Sequence, residues 1–170
     1  ETKLLAQLEL THTDGSVQTV ATDAGWDWSN DDPIRFADNK DGEVVYANNV
    51  LYQGKAKVTN HPVTPAASNN VSVTEHERPK AKRITTPSGK TVLDFGQNIA
   101  GYAEFTVTAH IGQKIKLRFG ELLDENGEFT QKNIQCSSKK ITTPLHQVIY
   151  TCKEGKNHCK TTFAIFGFQY

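Results

Sequence analysis

Apolar residues recur at every second position in one stretch of the chain after another, and no run of twelve or more residues holds the three-and-four spacing of a helix. Successive side chains of an extended strand point to opposite faces, so this period predicts a β protein. Ala6, Leu8 and Leu10 alternate with Gln7 and Glu9, Thr13-Asp-Gly-Ser16 supplies an Asp-Gly turn, and residues 17–21 run back to complete a hairpin. Trp26 and Trp28 stand two apart, which puts both on one face of an extended segment, and Asn30-Asp-Asp-Pro33 breaks it. Residues 34–42 read as an acidic loop and 44–46 as a short strand. The Asn, Gly and Pro residues crowded into 47–70 then read as a linker.

The chain is more regular after the linker. Residues 71–77 and 82–85 read as short strands, and Thr86-Pro-Ser-Gly89 is a turn into a strand over 90–95. Ala103, Phe105, Val107 and Ala109 alternate with polar residues, as do Ile115, Leu117 and Phe119. His110-Ile-Gly-Gln113 between them predicts that the two strands are hairpin partners. Asp124-Glu-Asn-Gly127 carries an Asn-Gly turn, and strands over 147–152 and 161–168 close the chain. Short strands with turn signals at roughly ten-residue spacing predict an all-β, antiparallel sandwich or jelly roll. The linker divides it into residues 1–60 and 61–170.

Composition narrows the classes of function. With 170 residues, 36% hydrophobic and 22% charged, and a mean hydropathy of −0.54, the chain reads as a soluble globular protein. Lys and Arg total 19 against 19 Asp and Glu, so the positive field that phosphate backbones require is missing and nucleic acid is excluded as a partner. No apolar run approaches the roughly 20 residues of a membrane span, and Glu1-Thr-Lys3 does not start a basic-then-apolar leader. The absence of any Met suggests a piece of a longer protein. Cys136, Cys152 and Cys159 are odd in number and lack zinc spacing, so they read as free thiols of a reducing cytoplasm, with an extracellular place left open. Asn70-Val-Ser72 matches a glycosylation acceptor, a pattern common by chance.

The sequence contains no convincing catalytic set. Asp94-Phe-Gly96 has no phosphate loop beside it and reads as a strand end plus turn. Glu121, Asp124, Glu125 and Glu128 flank the Asn-Gly turn, where side chains splay into water, and the six His are scattered. One constellation suggests binding. Asp38, Asn39, Asp41 and Glu43 crowd oxygen atoms into a short segment, the donor type that Ca2+ takes, and Trp26 and Trp28 could offer a flat face to a sugar ring. These six form the candidate substrate site and the first four the candidate metal site. The competing account is a polar loop over a buried tryptophan.

Several of these segments carry a resemblance. Leu4-Leu-Ala-Gln-Leu-Glu-Leu10, the Asp14-Gly15-Ser16 turn, Ala21-Thr-Asp23 with Trp26, and Ile34-Arg-Phe-Ala-Asp38 leading to Asp41-Gly42-Glu43 resemble the amino-terminal β domain of bacterial α-L-rhamnosidases. Val92-Leu-Asp-Phe-Gly-Gln-Asn-Ile-Ala-Gly101, Gly112-Gln113, Gly120-Glu-Leu-Leu-Asp-Glu-Asn-Gly127, Asn133 and the segment from Phe163 to Gly167-Phe-Gln-Tyr170 resemble the concanavalin-like β domain that follows it. Where that family continues with Tyr-Asp-Ala-Arg, this chain has Val44-Val-Tyr-Ala-Asn-Asn49. The resemblance implies that residues 1–60 are a partial amino-terminal domain and 61–170 a concanavalin-like sandwich. It implies a non-catalytic region of an inverting glycosidase whose acids lie on an α/α barrel elsewhere in the parent chain. It further implies rhamnose-containing glycans as ligands, held through Ca2+ in members that bind sugar outside the barrel. The alternative is a free-standing carbohydrate-binding or adhesion module. Asp94, Gln97 and Asn98 are expected to be structural, their polar side chains satisfying backbone N–H groups around Gly96 and Gly101.

Overall fold

A computed structural model describes residues 3–29, 32–47, 54–62, 64, 66–69, 71–134 and 146–170. Cys136, Asn70, the Asn30-Asp31 pair and parts of the expected linker lie outside the described residues. All regular structure among the described residues is β, and no helix there is long and apolar enough to cross a membrane.

Contacts divide the chain differently from a cut at residue 60. One compact unit comprises Glu1–Asp32 and Val50–Ser72, the other Pro33–Asn49 and Val73–Tyr170. In the first unit β1 (Gln7–Thr11) and β2 (Val17–Ala21) form the expected hairpin, with Gly15 at φ 83 in the turn. The Asp14 carboxylate accepts from the Ser16 N–H at 2.9 Å, closing the turn locally. β3 (Asp27–Trp28) pairs with β6 (Gly54–Lys55).

The second unit is a sandwich. β4 (Ile34–Asp38), β5 (Gly42–Tyr46), β11 (Lys114–Arg118) and β14 (Gln147–Thr151) make a four-stranded sheet in the order β11-β14-β5-β4. All its pairs are antiparallel except β5 with β14. β10 (Glu104–Ala109) pairs with β15 (Gly155–Lys160), β7 (Lys82–Thr85) with β8 (Thr91–Asp94), β9 (Ile99–Gly101) with β16 (Phe166–Phe168), and β12 (Leu122–Leu123) with β13 (Phe129–Thr130). The core draws on Phe119, Val148, Tyr150, Cys159, Phe166 and Phe168, with Phe105, Val107, Ile115 and Leu117 packed against them. The Phe119 ring stacks on Phe166 at 4.5 Å and meets Phe168 edge-on at 4.9 Å.

Four expectations are corrected. First, β10 and β11 are not partners. The connections from β10 to β11 and from β14 to β15 each cross between the same two sheets. Strands joined by such an arch alternate as hairpin strands do, because their apolar sides face each other across the core. Second, residues 34–38 are strand rather than loop. β4 is the outer strand of its sheet, with a register shift between Ile34 and Phe36, and it is mostly exposed, so it has no buried face to write a pattern. Third, the alternating residues 71–77 form no strand; Val71 and Val73 are 79% and 77% exposed, with no ladder to hold them. Fourth, β15 was hidden by a polar inner residue, and only Phe166–Phe168 of the stretch 161–168 is strand. Asn157, fully buried, accepts from the Lys153 N–H at 2.9 Å and donates to the Lys153 and Gly155 carbonyls at 2.9 and 2.8 Å. Its amide thereby satisfies the turn from β14 to β15 from inside.

Candidate functional site

The acidic segment forms the turn of the β4–β5 hairpin. Asp38 ends β4, and its carboxylate accepts from the backbone N–H groups of Lys40 at 2.7 Å and Asp41 at 3.0 Å. These bonds, the one from Asp41 foremost, hold its pKa below the usual carboxylate range. Asn39 is an exposed turn residue. Gly42 follows at φ 104, where a Cβ would lie 1.7 Å from the Gln147 carbonyl oxygen, so only glycine lets β5 meet β14 here.

Glu43 turns inward. It is 1% exposed, and its two oxygens accept from the Thr162 N–H at 3.1 and 3.0 Å, with the Phe163 N–H at 3.4 Å from Oε1. A buried carboxylate must be hydrogen-bonded to be tolerated, and this one is bonded by the turn that leads into β16. Its charge also reaches Cys159, whose thiol is pushed up to about 12, chiefly by burial. Glu43 is therefore an internal strut and not one donor of a solvent-facing set. Among the described residues no three of His, Cys, Asp and Glu gather as a metal centre would require.

The tryptophans belong to the other unit. The Trp28 ring N–H donates to the Lys55 carbonyl at 2.9 Å, and Lys55 pairs with Asp27 at 2.7 Å, which fixes the ring against the β3–β6 ribbon. Trp26 and Trp28 are 40% and 48% exposed, so neither is the buried tryptophan of the competing account.

Several carboxylates of the sandwich are bonded within its own structure. Asp94 accepts from the Gly96 N–H at 2.7 Å and from the Gln169 side chain at 3.0 Å, which lowers its pKa. Gly101, expected to lack a ladder partner, pairs with Phe166. Asp124 closes the Asn126-Gly127 turn by accepting from Asn126 and Glu128, each at 2.9 Å. Glu128 reaches 40 residues back to the Ser88 N–H and hydroxyl at 2.6 and 2.8 Å, and Glu121 accepts from Asn133 at 2.7 Å. The three motifs around Asp94, Gly120 and Gln169 meet. Phe95 N–H donates to the Gln169 carbonyl at 3.0 Å, and Gly120 N–H to that of Tyr170 at 2.9 Å.

Two features escaped the sequence reading. Glu75 is bonded by Lys160 at 2.5 Å, by the Tyr102 hydroxyl and by Arg78 at 2.6 Å, and Arg78 also reaches Glu104 at 2.8 Å. These partners, Lys160 first, bring the Glu75 pKa down to about 2 and clip residues 75–78 onto the β10–β15 ribbon. His146 adopts a left-handed φ of 50 and lies against the Phe166 ring at 5.3 Å. Burial lowers its pKa. A hydrophobicity pattern marks neither feature, because both are made by chain-distant partners.

The described chain is thus a β-sandwich with an aromatic core, in which Glu43, Asp94, Asp124 and Glu128 are bonded within the fold. The family model described as the bacterial alpha-L-rhamnosidase concanavalin-like domain matches residues 84–170, and the chain belongs to that family. It is 27% identical to an α-L-rhamnosidase of Alteromonas sp. (strain LOR) and 26% identical to one of Formosa agariphila, over 99% of its own length in both cases. It spans only 19% of each of these relatives. Its fold is similar to that of the α-L-rhamnosidase of Streptomyces avermitilis, solved in complex with L-rhamnose, with a TM-score of 0.78 and 25% identity over 97% of this chain and 17% of that one. The native enzyme of Aspergillus terreus shares the fold, with a TM-score of 0.77 at 24% identity over 97% of this chain and 20% of that one.

Proposed function

We propose that this chain is a non-catalytic β-sandwich region of an α-L-rhamnosidase. In this reading it braces an α/α barrel in which terminal α-L-rhamnose is removed with inversion. One observation carries the proposal: nearly the whole chain aligns with rhamnosidases of which it spans under a fifth. The commitment of Glu43, Asp94, Asp124 and Glu128 to backbone and side-chain donors supports it, since inverting hydrolysis needs two carboxylates free to flank a positioned water. The test is an assay of the 170-residue chain on a chromogenic α-L-rhamnoside. The reading predicts no turnover above the buffer blank, and turnover that survives repurification contradicts it. Sequencing the gene on both sides separates it from a free-standing binding or adhesion module. A downstream region rich in helical periodicity and carboxylates supports the brace, and a repeat array or membrane anchor supports the module.

The sugar-binding part of the reading rests on Trp26 and Trp28, which keep about half of their surface open while Trp28 is fixed through Lys55. Calorimetric titration with L-rhamnose before and after Trp28→Ala tests it. Heat that is unchanged in the variant places any sugar elsewhere.

A further inference from the structure

Asn126 is the only asparagine of the chain that is followed by glycine. The backbone nitrogen of the next residue can attack an asparagine side chain, and glycine alone puts no side chain in the way. Asn126 is exposed, in the turn between β12 and β13, so its carboxamide meets solvent. The backbone N–H groups of residues 126, 127 and 128 are all engaged by one residue. The Asp124 carboxylate accepts from Asn126 and Glu128, each at 2.9 Å, and the Asp124 carbonyl accepts from Gly127 at 2.9 Å. The Asp124 N–H in turn donates to the Glu128 carbonyl at 2.8 Å. The turn is also held from outside, because Glu128 is bonded to Ser88 and a Cβ on Gly127 would lie 3.5 Å from Pro87.

We infer that Asn126-Gly127 is a site of spontaneous deamidation and that Asp124 sets its rate. The Gly127 nitrogen forms a bond to Cγ of Asn126, the bond from Cγ to the side-chain nitrogen breaks, and that nitrogen leaves as ammonia with the Gly127 proton. Water then opens the resulting five-membered imide at one of its two carbonyls. One opening leaves an aspartate, the other an isoaspartate in which the main chain runs through the former side chain. The balance is one water in and one ammonia out, so solvent is the only co-reactant. The nucleophile must give up its proton and come within roughly 3–3.5 Å of Cγ in line for attack. In the folded turn that same N–H is held by the Asp124 carbonyl, and the two bonds to the Asp124 carboxylate resist rotation of residues 126–128 toward the attack geometry. Asp124 is thus a positioning residue that opposes the reaction. The isoaspartate adds a main-chain carbon between Asp124 and Glu128, a length that the bonds closing this turn do not accommodate.

The experiment incubates the 170-residue chain at mildly alkaline pH and locates converted asparagines by peptide mass analysis. It is run in native buffer, in denaturing guanidinium chloride, and in native buffer on Asp124→Ala and Asp124→Asn, whose melting temperatures must stay well above that of the incubation. The inference predicts that Asn126 converts before any other asparagine, and at least about tenfold more slowly in the folded chain than in denaturant. Asp124→Ala should convert about tenfold faster than folded wild type, whereas Asp124→Asn, which keeps an acceptor oxygen, should stay within about threefold of it. Earlier conversion of another asparagine overturns the site. Equal rates in buffer and denaturant overturn the protection, and this wild-type comparison stands even if a variant does not fold. Asp124→Asn converting as fast as Asp124→Ala overturns the positioning role, since the lost charge and not the lost bonds would then set the rate.

Discussion

In the unit formed by Pro33–Asn49 and Val73–Tyr170, strands from two sheets close on a cluster in which Val148, Phe166 and Phe168 are each 1% exposed. In the unit formed by Glu1–Asp32 and Val50–Ser72, no described residue is buried. Its hairpin is regular, pairing Leu8 with Val20 and Leu10 with Gln18, yet Leu8 is 56% and Leu10 40% exposed. Both units contain well-registered strands, but only one has an interior. Backbone pairing and alternation suffice to draw a ribbon, whereas stability needs a second layer for the apolar face to meet. The rhamnosidases that this chain aligns with are about five times longer.

The contrast is sharpest in paired truncations. Phe166→Ala removes a fully buried ring stacked on Phe119 and should cost about 3–5 kcal/mol in a denaturant melt. Leu8→Ala removes a similarly apolar side chain from the hairpin and should change stability by no more than about 0.5 kcal/mol. Comparable losses for the two would mean that the hairpin face is covered in this chain.

Glu43→Gln probes the strut. The variant keeps one acceptor oxygen but places an amide against the Thr162 and Phe163 N–H groups, so about 1–3 kcal/mol should be lost from the sandwich. Ca2+ titration of the wild-type chain supplies the counterpart. A rise in melting temperature with Ca2+ that Glu43→Gln abolishes would restore this carboxylate to a metal site.

How much of this was legible in the sequence follows from how far each interaction reaches along the chain. The β1–β2 hairpin and the Asn126-Gly127 turn are written locally, in residues that contact their near neighbours. The family resemblance rested on longer motifs, and the family model matches residues 84–170. The strand pairing did not follow, because alternation in residues 104–118 is the same for a hairpin as for an arch between sheets. Glu43 looked like one more acid in a polar loop because its donors lie 119 and 120 residues away. Asn157 hid β15 for a related reason: a residue expected to face water satisfies a turn from inside the core.

The smallest effect is predicted for the ionic clip of the second unit. The Glu75 pKa is depressed from 4.5 to about 2, so the stability this residue adds is complete above about 4.5 and drains away as the pH falls toward 2. Glu75→Gln should therefore melt slightly below wild type at pH 7, with the gap closing by pH 2. All three partners are partly exposed, which keeps the effect small and sensitive to salt. A gap that persists at pH 2 would mean that the side chain supports residues 75–78 by packing instead of charge.

The central claim, one unit with an interior and one without, is tested most directly by amide hydrogen exchange on the 170-residue chain. The account predicts slow exchange for ladder amides of β10, β11, β14 and β15, close to the rate set by global unfolding, and exchange through easy local opening for β1 and β2. Protection of the β1–β2 amides equal to that of β14 would contradict it.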